Sequence, residues 1–61
     1  MKLKIDQFYL DRKLGYLKYK GVLEGKLLFD HYVKAYGEWM AERATFSEVI
    51  IPRLKPHLPP A

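Results

Sequence analysis

The sequence predicts an α+β domain in which a small three-stranded antiparallel sheet packs on one amphipathic helix. Three observations lead there. Apolar residues alternate with polar ones in the first third of the chain and then recur at helical spacing. Gly15, Gly21 and Gly25 punctuate the alternating part, and 61 residues without a cysteine leave room for a single small core held by apolar packing alone. An all-α arrangement of three short helices is the alternative.

Phe8 and Leu10 alternate with Tyr9 and Asp11, which reads as a first strand. A helix over residues 7–14 competes with it, capped by Asp6, stapled by Ile5 and Leu10, and stopped by Gly15. The strand is preferred because Phe8, Leu10 and Leu14 would scatter around a helix, whereas Phe8 and Leu10 share one face of a strand. Residues 11–15 then form a hairpin connection in which Gly15 supplies a positive φ. Leu17 and Tyr19 alternate with Lys18 and Lys20 as a second strand, and residues 21–25 make the next turn.

The helix is expected within residues 26–43. At 100° per residue, Leu28, Phe29, Tyr32, Val33, Ala35, Tyr36, Trp39 and Met40 fall on one broad arc. Asp30, Lys34, Gly37, Glu38 and Ala41 fall opposite, and Asp30 with Lys34 forms a correctly oriented i,i+4 pair. The arc reads first as the core-facing stripe, with Trp39 in the core. Its aromatic content also fits a partner or dimer surface made by Tyr32, Tyr36, Trp39 and Met40.

Beyond it, Thr45-Phe46-Ser47-Glu48 has the capping-box form, while Val49-Ile50-Ile51 suits a short strand, so residues 46–51 stay open between helix and strand. Pro52, Pro56, Pro59 and Pro60 remove amide donors and push the residues before them out of helical geometry. A single domain over residues 1–54 followed by an extended, mobile tail over 55–61 is expected.

Charge separates the chain into two parts. Lys2, Lys4, Arg12, Lys13, Lys18 and Lys20 stand against Asp6 and Asp11 in the first twenty residues, an excess equal to the formal net charge of +4 for the whole protein. Phe8, Tyr9, Tyr16 and Tyr19 lie among those cations, and rings beside cations suit bases and phosphates. With 49% hydrophobic residues and both signs of charge, a disordered chain is disfavoured. The longest apolar runs are too short for a membrane span or a secretory leader, so a soluble, cytoplasmic protein is expected.

Gly15-Tyr16-Leu17-Lys18-Tyr19-Lys20, followed by Gly25-Lys26, has the form G-Y-x-x-Y-[KR]-x4-G-K. In that spacing it resembles the N-terminal arm-type DNA-binding domain of phage integrases of the tyrosine recombinase class. The resemblance covers some twelve residues and implies a three-stranded sheet backed by one helix, with the open face of the sheet in the DNA major groove. It implies DNA-contacting roles for Tyr16, Tyr19, Lys20 and Lys26.

Read from the residues alone, Leu17 and Tyr19 turned inward would leave Tyr16, Lys18 and Lys20 on a wet face spanning roughly 13 Å at about 3.3 Å per residue, close to the roughly 12 Å width of a major groove. Lys2, Lys4, Arg12, Lys13 and Lys26 would add phosphate contacts. The expected function is a small non-catalytic nucleic-acid-binding module, with duplex DNA favoured. Its candidate contacts are Lys4, Arg12, Lys13, Tyr16, Lys18, Lys20 and Lys26. The alternative is a protein-interaction or homodimerising module that uses the aromatic stripe, with an acidic protein as the partner of the basic face. His31 and His57 have no metal-ligand spacing, and no nucleophile or phosphate-loop motif occurs, so neither catalysis nor a metal or cofactor is expected.

Overall fold

The computed structural model describes residues 2–60 as a meander of antiparallel strands. These are β1 (Phe8–Asp11), β2 (Gly15–Leu23), β3 (Lys26–Ala35) and β4 (Glu38–Phe46), followed by a 3-10 helix (Glu48–Arg53) and a short β5 (Lys55–Pro56). The sheet order is β4-β3-β2-β1-β5, so the chain returns after the 3-10 helix to the outer edge of β1. There Leu10 faces Lys55 and Tyr9 faces Pro56, and the His57 amide donates to the Phe8 carbonyl at 3.0 Å.

The helix expected within residues 26–43 is a β-hairpin. Ala35 pairs with Glu38 across Tyr36-Gly37, whose φ values of 52° and 79° are the two positive angles of a two-residue turn that matches sheet twist. Both a helical arc and a strand alternation can be drawn through this run. Val, Phe, Tyr and Trp suit the pleated surface, and a glycine in mid-helix would cost about 1 kcal/mol, so the hairpin wins. With 58% of the described residues in strands and 10% helical, the protein is all-β. That overturns the α+β reading, the three-helix alternative and the helix implied by the integrase resemblance.

The N-terminal hairpin has the expected strands, and Gly15 has φ 86°. Residues 7–14 are not a helix. The β2–β3 turn is Glu24-Gly25, with φ 51° and 78°. Ser47, not Thr45, caps the segment left open at 46–51: its Oγ accepts from the Val49 amide at 3.4 Å and starts the 3-10 helix, while Thr45 pairs with Leu28 in the sheet. Residues 55–56, expected at the start of a free tail, are β5. The expected domain 1–54 and tail 55–61 include Met1 and Ala61, which lie outside the described residues.

One face of the sheet carries the core. Tyr9, Leu17, Leu27 and Phe29 are buried there beneath Ile50 of the 3-10 helix and Leu54, with Leu3, Leu14, Tyr19, Phe46 and Ile51 packed around them. Phe29, fully buried, has its ring 5.4 Å from Tyr19 and 6.0 Å from Phe46. Trp39 is not part of this cluster.

Asp11, 1% exposed, also points into this side. Its Oδ1 accepts from the amides of Lys13 at 2.8 Å and Leu14 at 3.0 Å, and its Oδ2 accepts from Arg53. Burial alone would raise its pKa, but the two amides and the guanidinium outweigh burial and hold the carboxyl below the usual aspartate value. The loop between β1 and β2 is thereby tied to the end of the 3-10 helix. Among the described residues no helix is long and apolar enough to cross a membrane.

Candidate nucleic-acid interface

The second face of the sheet is built by the same alternation that buries the first. Cross-strand register places Leu10, Tyr16, Tyr32 and Ala41 in one row, and Phe8, Lys18, Asp30 and Arg43 in the next. Lys34 and Trp39 form a further pair toward the β3–β4 turn, and Leu28 with Thr45 one in the other direction. Among the described residues no helix or second sheet covers this face, and Phe8, Tyr16, Tyr32 and Trp39 are all half-buried on it.

The rings form two contacting pairs. Phe8 and Tyr32 lie 5.2 Å apart and tilted, and Tyr16 meets Trp39 edge-on at 5.4 Å. Ring pairs at such separations hold each other in place. His57, brought back by β5, adds a third edge contact with Tyr16 at 5.5 Å, and its Nδ1 lies 3.0 Å from the Leu58 carbonyl. Two cations lie over rings of the face, with Lys18 Nζ 5.6 Å from the centre of Phe8 and Lys34 Nζ 5.8 Å from that of Trp39.

Charge is sorted between the two sides of the sheet. Lys18, Lys26, Lys34 and Arg43 share the ring-bearing side with Asp30, whereas Glu38 and Glu42 of β4 fall on the other side by register. The face that carries the aromatic rings is therefore the cationic one. Bases can stack on such rings while lysines that leave their ring contacts neutralise phosphates.

The expected contact residues are distributed as follows. Tyr16 and Lys18 lie at the centre of the ring-bearing face, and Lys26 is at its far end beside the β2–β3 turn. Lys20 stands at a register shift between Tyr19 and Gly21, where its ammonium is held 2.7 Å from Asp6 Oδ1. That hydrogen bond raises the Lys20 pKa and lowers that of Asp6. Arg12 and Lys13 belong to the β1–β2 loop and line a cleft with Pro52, Arg53 and Lys55. Lys4 lines a smaller hollow with Lys2, Gln7, Tyr9 and Pro56, and its amide donates to the Tyr9 hydroxyl at 2.9 Å.

The stripe expected on a helix does not exist as one surface. Tyr32 and Trp39 join Tyr16 on the ring-bearing face, Met40 is exposed on the opposite side across from Val33, and Tyr36 projects fully exposed from the turn. Phe8, Lys34, Arg43 and His57 were not among the expected contacts. The dipeptide Tyr36-Gly37 was the signal that could have found Lys34 and Arg43, because a turn there folds β4 back beside β3. Of the histidines, His31 lies half-buried on the core side, and its Nε2 donates to the Leu14 carbonyl at 2.6 Å. No cluster of three or more metal-ligating side chains occurs among the described residues. The chain matches no protein-family model, no curated protein and no solved structure.

Proposed function

We propose that the protein is a small non-catalytic nucleic-acid-binding module that holds single strands on its open sheet face. The observation that carries this reading is the placement of Phe8, Tyr16, Tyr32 and Trp39 on one uncovered face interleaved with Lys18, Lys34 and Arg43. Rings gain little against a duplex, whose bases present only their edges. Against an unpaired strand each ring offers a stacking partner worth about 1–3 kcal/mol per base. This favours a single strand over the duplex that the integrase resemblance implies. A cytoplasmic location accompanies the reading, since nucleic acid is found there.

The test uses the fluorescence of Trp39, the only tryptophan in the chain. Single-stranded oligonucleotides added at low ionic strength should quench it, with an affinity that falls as salt rises and is higher than for the matching duplex. Absence of binding, or a duplex affinity that equals the single-strand one and survives Tyr32→Leu, would overturn the proposal.

A further inference from the structure

At the β5 edge of the sheet, three separate pieces of chain converge on one cleft. Arg12 and Lys13 come from the β1–β2 loop, Pro52 and Arg53 from the 3-10 helix, and Lys55 from β5, around an open cavity of about 660 Å³. Four cationic residues thus line one concavity, and no acid is among the described lining residues. The nearest carboxylate, Asp11, is already committed to the amides of Lys13 and Leu14 and to Arg53.

The same carboxylate organises the cleft. By gripping the loop amides with one oxygen and the Arg53 guanidinium with the other, Asp11 fixes the distance between two walls. Arg53 contacts it through Nε and Nη2, both 2.9 Å from Oδ2, and its side chain remains 44% exposed. A guanidinium held along one edge keeps its remaining N–H groups for a ligand. Cations that line one cleft repel one another, and a multiply charged oxyanion relieves that repulsion while accepting several charge-assisted hydrogen bonds.

We infer that this cleft binds a phosphate monoester dianion. A backbone phosphodiester carries one charge, so a terminal or free phosphate better matches four cations of which Asp11 offsets only one. The inference does not rest on the ring-bearing face: only Lys55, paired with Leu10, borders that face, whereas Arg12, Lys13 and Arg53 lie outside its rows.

The experiment titrates the isotopically labelled full chain by NMR with three probes. These are inorganic phosphate alone, oligothymidylate ending in a 5′-phosphate, and the same oligonucleotide with a 5′-hydroxyl. Inorganic phosphate should shift the amides of Arg12, Lys13, Leu14 and Arg53. The double variant Arg12→Gln with Lys13→Gln should abolish those shifts while the remaining amide spectrum stays that of the folded parent. A 5′-phosphate preference of about tenfold, lost in the double variant, identifies a nucleic-acid end as the source. Phosphate shifts without that preference identify free phosphate and also support the site. If neither probe perturbs the cleft, or if the double variant responds as the parent does, the site is refuted. The 5′-hydroxyl oligonucleotide reports separately on the ring-bearing face, so each proposal can fail without the other.

Discussion

Nε and Nη2 of Arg53 both lie 2.9 Å from Oδ2 of Asp11, joining residues 42 positions apart in sequence. This contact fastens the first hairpin to the 3-10 helix that roofs the core. Replacing the acid by Asn keeps the shape of the side chain but removes its charge. Because Arg53 is partly exposed, water recovers some of what its guanidinium loses. Asp11→Asn should therefore destabilise by about 1.5–3 kcal/mol rather than by the full cost of stranding a buried charge. A thermal melt checks this, at about 4–8 °C per kcal/mol for a domain of this size, and an unchanged midpoint would show that the pair contributes nothing.

The same group sets a pH dependence. The folded-state pKa of Asp11 lies below its ordinary value of 3.8, so its contribution to stability is present above that value and is lost as pH falls through the folded-state pKa. Between pH 5 and pH 2 the parent should lose stability more steeply than Asp11→Asn. Parallel curves for the two proteins would show that other carboxylates carry the acid sensitivity.

Core and ring-bearing face should separate under mutation. Phe29→Ala, at the most buried aromatic position, should cost about 3–5 kcal/mol, close to the whole stability of a core this small, and leave the chain largely unfolded. Tyr32→Leu should keep a cooperative melt, since its ring lies on the uncovered face, yet weaken single-strand binding about 5- to 150-fold. Circular dichroism and an anisotropy titration on both variants distinguish the two outcomes.

Lys18 should act through charge. Lys18→Gln is expected to flatten the slope of log K against log salt by about 0.7 for a single strand, with little change in melting temperature. An unchanged slope would remove Lys18 from the interface.

The turns allow a prediction of the opposite sign. Tyr36 is fully exposed and holds φ 52°, a left-handed conformation unfavourable for a bulky side chain. Tyr36→Asn creates the Asn-Gly pair preferred at such turns and should stabilise by about 0.5–1 kcal/mol. Gly37→Val, at φ 79°, should destabilise by more than about 1 kcal/mol. Chemical denaturation measures both, and a destabilised Tyr36→Asn would mean that the Tyr36 side chain has a role at the turn.

The local chemistry of the first hairpin was legible in the sequence. Period-two alternation and Gly15 defined its strands, and Tyr16 and Lys18 could be placed opposite Leu17 because a strand admits only two faces. The second hairpin was not legible in the same way. In residues 26–43 the large side chains satisfy both a helical arc and an alternation. The decision between them rests on Tyr36-Gly37 adopting positive φ and on Leu27 and Phe29 finding Ile50 and Leu54, partners that lie far along the chain.

By itself the sequence determined a small, cationic, cysteine-free chain with one core and with rings set among its positive charges. Only the tertiary structure decided which charges and rings stand together. Pairing β4 with β3 turned Glu38 and Glu42 to one side and Trp39 and Arg43 to the other, which moved the cationic, aromatic surface from the N-terminal segment to a whole face of the sheet. Return of β5 to β1, together with the Asp11–Arg53 pair, assembled a second cationic site from segments that sequence distance had kept apart. The physical reason is that a strand's periodicity sets only the two sides of that strand. Which side is buried, and which neighbours share the exposed one, depends on the long-range pairing register and on what covers the sheet.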